Sequence, residues 1–226
     1  GCFGFKPTYG RIPYDAFSRN MFWSQAPFLH FGPIARTVED AALMFSVMSG
    51  YHPLDPYALP DTGEDFLYEI RKDPRDLRVA YSPDLGFYQV DKQVSSVIET
   101  AVKNLQTLGV KVELIDVDLG PKNDFEEAFI NMWYAQIASA YGWLLPEKKD
   151  MLPEAVIFML ESGLAMKAMD YKKSELVRTK IWYRLQKVFE NYDLLVCPTL
   201  AVPAFSHQIR GPKEINGVRV SPHTDW

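Results

Sequence analysis

Residues 77–114 constrain the fold of this chain more than any other stretch. Leu77-Arg78-Val79-Ala80-Tyr81 is a short strand, and Asp91 then opens a helix in which Val94, Val97, Ile98, Ala101, Leu105 and Leu108 recur at helical spacing. Gly109 closes that helix, and Val110-Lys111-Val112-Glu113-Leu114 follows as a second strand. Strand, crossover helix and strand form a βαβ unit, which sets the two strands parallel. The expected class is therefore α/β, a mixed sheet whose βαβ unit is flanked by helices.

Around that unit the chain divides into four stretches of one domain. Residues 1–76 begin with irregular, aromatic-rich backbone in which Pro7, Pro13, Pro27 and Pro33 forbid a long helix. Phe3, Phe5, Tyr9, Tyr14, Phe17, Phe22, Trp23, Phe28 and Phe31 cannot all stay solvated there, so this stretch is expected to lie against a larger surface. Thr37 then caps a helix running to Ser49, with Asp40 in the reciprocal capping-box position, Gly50 as the stop and Val38, Ala41, Ala42, Phe45 and Met48 as the buried stripe. A Pro/Asp-rich loop spans 51–65, and 77–120 hold the βαβ unit. Residues 121–192 read as three helices, Asp124–Trp143, Pro153–Met169 and Tyr171–Asn191. The last stretch, 193–226, holds the buried strand Asp193–Cys197 and an Asn216-Gly217 hairpin turn.

Composition narrows the function. Net charge is −5, with 24 Lys and Arg against 29 Asp and Glu, which argues against nucleic acid as a partner because no cationic excess is there to displace counterions. No apolar stretch approaches the roughly 20 residues that cross a bilayer, so no membrane partner is expected. No basic leader precedes a long apolar run at the start. Cys2 and Cys197 stand nearly a chain apart, and His30, His52, His207 and His223 are scattered. Two inert thiols in a reducing cytoplasm are favoured over a Cys2–Cys197 disulfide, and neither a metal nor a cofactor is expected.

Pattern alone yields no complete catalytic constellation. There is no Gly-x-Ser-x-Gly elbow, phosphate loop, dinucleotide fingerprint or His-Glu-x-x-His helix. Glu39/Asp40 and Glu126/Glu127 read as first-turn charges that complement helix dipoles. Lys6, flanked by aromatics and glycines, could be a desolvated base; the plainer reading is a snorkelling amine with its stem packed on Phe5 and Tyr9.

Four ordered stretches carry a resemblance. Gly4-Phe5-Lys6-Pro7-Thr8-Tyr9-Gly10-Arg11-Ile12-Pro13 is similar to the segment that follows the serine-rich signature of the amidase signature family. Gly32-Pro33-Ile34-Ala35-Arg36-Thr37-Val38-Glu39-Asp40-Ala41-Ala42 resembles that family's helix start, and residues 77–114 with Ser82-Pro83-Asp84-Leu85-Gly86 resemble its βαβ unit. Tyr192-Asp193-Leu194-Leu195-Val196-Cys197-Pro198-Thr199, continuing through Ala201-Val202-Pro203, resembles its closing strand. The likeness implies part of the amidase signature fold, truncated at both ends.

It also implies hydrolysis of a carboxamide C–N bond through a serine–cis-serine–lysine triad and an acyl-serine intermediate. In the family all three residues lie upstream of the segment that opens this chain, so no residue here inherits a catalytic role, Lys6 included, and the chain alone is expected to be inactive. The alternative is a non-catalytic binding or assembly module on the same scaffold. The tRNA-dependent amidotransferase branch is disfavoured because its corresponding segment reads differently from Tyr9–Asp15. Family helices beyond the βαβ unit overhang the nucleophile, which nominates Asn131, Trp133, Tyr134 and Ile137, and on the next helix Ile157, Phe158 and Met159, for the acyl side of a small amide substrate. Ordinary helix core is the competing reading. No Arg or Lys stands among these positions, so the implied acyl group is hydrophobic or aromatic. Apolar surface left uncovered on such a piece would favour a homo-oligomer.

Overall fold

The computed structural model describes residues 2–14, 30–209 and 211–221. Phe17, Phe22, Trp23 and Phe28 of the aromatic stretch, together with His223 and Trp226, lie outside the described residues. Two compact units form: Gly1–Lys72 with Asn131–Ala168, and Asp73–Ile130 with Met169–Trp226.

In the first unit, strands β1 (Phe3–Gly4) and β2 (Ile34–Ala35) pair antiparallel, Phe3 opposite Ala35. Helix α1 (Val38–Met48) follows, and the Thr37 hydroxyl accepts from the Asp40 N–H at 3.1 Å, giving one arm of the expected capping box. Ala41, Ala42 and Phe45 are buried as expected, whereas Val38 is exposed and Met48 half-buried. A short helix α2 (Phe66–Glu69), capped by Asp65, closes the Pro/Asp-rich loop and stacks Phe66 on Phe45 at 4.5 Å. Asp55 anchors the loop: its buried carboxylate accepts the Tyr14 and Tyr57 N–H groups, each at 2.8 Å, which offsets the cost of burying the charge.

The βαβ unit stands in the second unit as β3 (Arg78–Tyr81), α3 (Lys92–Thr107) and β4 (Lys111–Leu114), with β3 and β4 parallel and Val79 opposite Val112. Asp91 caps α3 through the Gln93 N–H at 2.8 Å, and Gly109 leaves it at φ +88°. The expected apolar stripe on α3 is only partly buried. Val94, Ile98 and Leu105 are half-buried, while Val97, Ala101 and Leu108 face solvent, Val97 at 67% exposure, and the helix's buried residue is Val102, which the expected stripe leaves out. Val97, Ala101 and Leu108 sit about 60–100° round the helix from Ile98, beyond the reach of a three-stranded sheet.

Helix α4 (Lys122–Tyr141) starts and ends two residues before the expected bounds, so Glu126 falls in its second turn, 3.5 Å from Lys122, rather than in the first. A short helix α5 (Leu144–Lys148) and a 3-10 turn (Lys149–Met151), neither expected, lead to α6 (Glu154–Ala165). Helix α7 (Ala168–Phe189) begins three residues early, because Met166 turns extended at ψ 136°.

Strand β5 (Leu194–Val196) lies parallel to β3 on the side away from β4, giving the order β4-β3-β5. Its apolar run predicts a buried strand, yet it is an edge: Leu194 is exposed, and full burial is confined to Val79, Ala80 and Tyr81 of the central strand. Asp193 clasps the start of β3, accepting the Arg78 N–H at 2.8 Å and returning its own N–H to the Arg78 carbonyl at 2.8 Å. The hairpin of β6 (Glu214–Ile215) and β7 (Val218–Arg219) turns through Asn216 and Gly217, both at positive φ, the geometry that favours Asn-Gly. Ile215 and Val220 bury against Ala201, and the Asn216 amide donates to the Val90 carbonyl at 2.8 Å. Helices and mixed parallel and antiparallel sheets make the chain α/β.

Candidate functional site

The positions nominated for a ligand lie in the first unit, on α6 and the part of α4 from Asn131 onward. The two helices meet through a glycine. A Cβ on Gly163 would lie 2.2 Å from the Tyr134 carbonyl oxygen and 2.5 Å from the Ala138 Cβ, so only a residue without a side chain permits this approach. Leu160, one turn earlier on α6, is completely buried, and Gly142 ends α4 by donating its N–H to the Ala138 carbonyl at 2.8 Å.

Of the nominated residues, the structure brings Tyr134 and Phe158 together. Their rings stand perpendicular with centroids 6.3 Å apart, an edge-to-face pair across the helix junction. Tyr134 is half-buried, and Phe158 is 62% exposed, a large apolar ring turned outward. Asn131 is half-buried one turn before Tyr134 on the same side of α4. Trp133, also half-buried, lies about 100° round the helix from Tyr134. Ile137, Ile157 and Met159 are half-buried. No Arg or Lys lies on α4 from Asn131 onward or on α6; the charged side chains there are Glu154 and Glu161, the latter paired with Lys149 at 2.7 Å.

One residue escapes sequence reasoning. Gln136 is only 5% exposed, and among the described residues neither its Oε1 nor its Nε2 has a hydrogen-bond partner. Each buried polar atom left unpaired costs about 1–3 kcal/mol, so this amide is held against stability. The available signal is a lone amide one helical turn after Met132, itself 2% exposed, on an apolar stripe.

Other chemistry-bearing groups are accounted for locally. Lys6 is exposed and donates to the Pro7 carbonyl at 3.2 Å, in keeping with a snorkelling amine. Cys2 and Cys197 are free thiols, and burial raises the Cys197 pKa, which keeps it protonated and poorly nucleophilic. His30 is half-buried with its ring 5.5 Å from Tyr9, and His52 and His207 are exposed. Among the described residues no three His, Cys, Asp or Glu side chains gather to hold a metal. A groove of about 290 Å³ is lined by Phe3, Phe5, Ala42, Phe45, Phe66 and Ile70 among others, and its one carboxylate, Glu69, pairs with Lys72 at 2.6 Å. It offers apolar contact and no reacting group.

Comparison with known proteins decides the lineage: the amidase family model matches residues 1–222. The chain belongs to the amidase signature family. An amidase of Pseudomonas putida is 30% identical over 199 residues, covering 88% of this chain and 41% of that protein. A glutamyl-tRNA(Gln) amidotransferase chain of Macrococcus caseolyticus is 31% identical over 231 residues, covering 91% of this chain and 46% of its own. A solved bacterial aryl acylamidase of the amidase signature family superposes with TM-score 0.88 at 26% identity, over 100% of this chain and 48% of that one. The chain thus spans about half the length of the relatives it matches. Overall identity does not separate the amidase and amidotransferase branches. Among the described residues no helix is long and apolar enough to cross a membrane.

Proposed function

We propose that the protein carrying this chain hydrolyses a carboxamide to a carboxylate plus ammonia or an amine, and that this chain forms the acyl-side wall of its pocket. A serine oxygen attacks the amide carbon, the C–N bond breaks as the leaving nitrogen takes a proton, and water then cleaves the acyl-serine ester to return the serine. No residue of this chain takes part in those bond changes, and the chain on its own is inactive. The observation that carries the pocket assignment is the perpendicular Tyr134–Phe158 pair, half-buried on one side, exposed on the other, with no cation on either helix beyond Lys122. Such a wall suits an aromatic or hydrophobic acyl group, since a carboxylate would want a bidentate cation.

The aryl acylamidase likeness supports an anilide as the first small-molecule substrate to try. Free thiols at Cys2 and Cys197 suit a reducing cytoplasm. The test is hydrolysis of 4-nitroanilides followed at the released amine, with Tyr134→Ala in the intact enzyme. The Michaelis constant should rise about tenfold, what the loss of one edge-to-face ring contact and its buried area removes. An unchanged value removes Tyr134 from the pocket, and binding without turnover by the intact protein replaces the enzyme with a binding module.

A further inference from the structure

The outward side of α7 carries a pattern that amide hydrolysis does not use. Met169, Lys173, Leu176, Lys180, Tyr183 and Lys187 follow one another at alternating spacings of four and three residues, so an apolar residue and a lysine each recur at every seventh position. At about 100° per residue, all six fall within about 80° of the helix circumference, on a stripe about 27 Å long. Ser174, the buried residue of this helix, lies about 140° from the middle of that stripe. The apolar members are exposed, Met169 at 66%, Leu176 at 62% and Tyr183 at 65%. Lys180 and Lys187 are exposed too, and among the described residues neither has an acidic partner, while Lys173 reaches Asp170 only at 4.0 Å. Helix α7 holds six Lys and Arg against two Asp and Glu, a net +4 in a chain whose total is −5.

A seven-residue repeat of alternating fours and threes is the spacing of a seam between two packed helices, and here every second contact is a lysine. Several occupants fit such a seam badly. A second copy docked in parallel sets lysine against lysine, and an antiparallel one leaves each lysine facing an apolar residue with its charge unanswered. A helix that lies on a membrane keeps its cations apart from its apolar face, whereas these alternate along one line, and the acidic remainder of the chain repels an anionic bilayer. A permanent internal seam would bury three ammonium groups at a cost that apolar residues avoid. We propose that this side of α7 docks an acidic amphipathic helix of a partner protein. The partner's seam alternates apolar residues with Glu or Asp on the same repeat, its carboxylates about 10.5 Å apart to meet the lysines. The lysine stems pack on the partner's apolar residues while their ammonium groups reach its carboxylates at the edge of the contact. Three such pairs fix the register of the two helices, and their access to solvent makes the contact salt-sensitive.

The probe is a fluorescent three-heptad helical peptide with leucine and glutamate alternating on its seam, titrated with the intact protein that carries this chain. A second peptide replaces each seam glutamate with glutamine, and a third with lysine. The glutamate peptide should bind about tenfold tighter than the glutamine one, and added salt should narrow that difference. Combining Lys173→Glu, Lys180→Glu and Lys187→Glu should release the glutamate peptide and take up the lysine peptide in its place. Circular dichroism checks that this variant folds, and Lys180→Glu alone gives the same comparison with a smaller swing if it does not. Equal affinity for the glutamate and glutamine peptides, or binding of neither, overturns the proposal. So does a charge-reversed variant that keeps its hold on the glutamate peptide. Phosphatidylserine vesicles that bind with the same lysine dependence, when the glutamate peptide does not, overturn it in favour of a membrane surface. Failure of Lys180 and Lys187 to acetylate in the intact protein also overturns it, because the rest of that protein then covers the seam.

Discussion

Gly163→Ala sets two physical effects against each other with opposite signs. Glycine in a helix interior costs about 1 kcal/mol relative to alanine, so by intrinsic propensity the substitution should stabilise α6. Packing says otherwise. The new methyl would stand 2.2 Å from the Tyr134 carbonyl oxygen, which is backbone and cannot rotate away, and 2.5 Å from the Ala138 Cβ. Restoring ordinary contact requires α6 to withdraw from α4 by about 1 Å, and a gap of that size forfeits up to half of each dispersion contact along the junction. Overpacking of this kind costs about 1–3 kcal/mol, and more when backbone must move. Because backbone must move, the upper part of that range applies, about 2–3 kcal/mol, and net destabilisation is about 1–2 kcal/mol after the propensity gain. In a chain of this size that lowers the unfolding midpoint by about 2–8 °C. Thermal and urea unfolding, followed by far-ultraviolet circular dichroism and tryptophan fluorescence, read it directly. A midpoint that rises refutes the close approach, because propensity would then be acting unopposed.

Further outcomes follow from local geometry. Asp193 accepts three hydrogen bonds from Arg78, one from its backbone N–H and two from its guanidinium, and these lower its carboxyl pKa, the backbone one most. A depressed folded pKa gives stability that is present above the ordinary aspartate value and lost as pH falls through the folded one. Asp193→Asn should therefore lower stability at neutral pH and flatten the acid side of a stability-against-pH curve, the two proteins converging at low pH; an unaltered acid limb would show the clasp to be unimportant. Thr37→Ala removes the cap of α1 and should cost about 1 kcal/mol in urea titrations, with no loss if the cap were incidental. The outer side of α1 presents Leu43, Met44 and Val47, the last at 80% exposure, so the isolated chain should self-associate in sedimentation velocity and Val47→Glu should return it toward monomer. A wild-type chain that sediments as a monomer at tens of micromolar counts against that face.

What the sequence makes legible is what local chemistry decides. Thr37, Asp91 and Gly109 mark helix ends because each solves a backbone problem within a few residues, and Asn216-Gly217 does the same for the hairpin. The parallel β3–β4 pair follows from a crossover too long for a hairpin. Burial is less legible. Val97, Ala101 and Leu108 match the helical period as well as Ile98 does, but which apolar line meets the sheet depends on how wide that sheet is. Leu194 reads as core from its neighbours and lies at an edge, because strand order is not written in any one strand. The break between α6 and α7 falls earlier than periodicity places it, for a similar reason. The Pro153–Met169 reading runs straight through Gly163, whose role is a close helix contact that sequence spacing does not reveal.

The candidate site follows the same division. Tyr134 and Phe158 stand out because aromatics on adjoining helices are visible as residue types, and the structure brings their rings within 6.3 Å. Gln136 does not, because a glutamine on a helix is ordinarily a solvated residue. Its meaning comes from burial, which a period count cannot supply. An aromatic wall selects shape and apolar area, and tolerates a range of acyl groups at a cost of about 1–3 kcal/mol per misfit, so widening the hydrocarbon body of a substrate that met the Tyr134–Phe158 pair should change rates gradually. Rates that ignore the size of that body would take the pair out of the pocket.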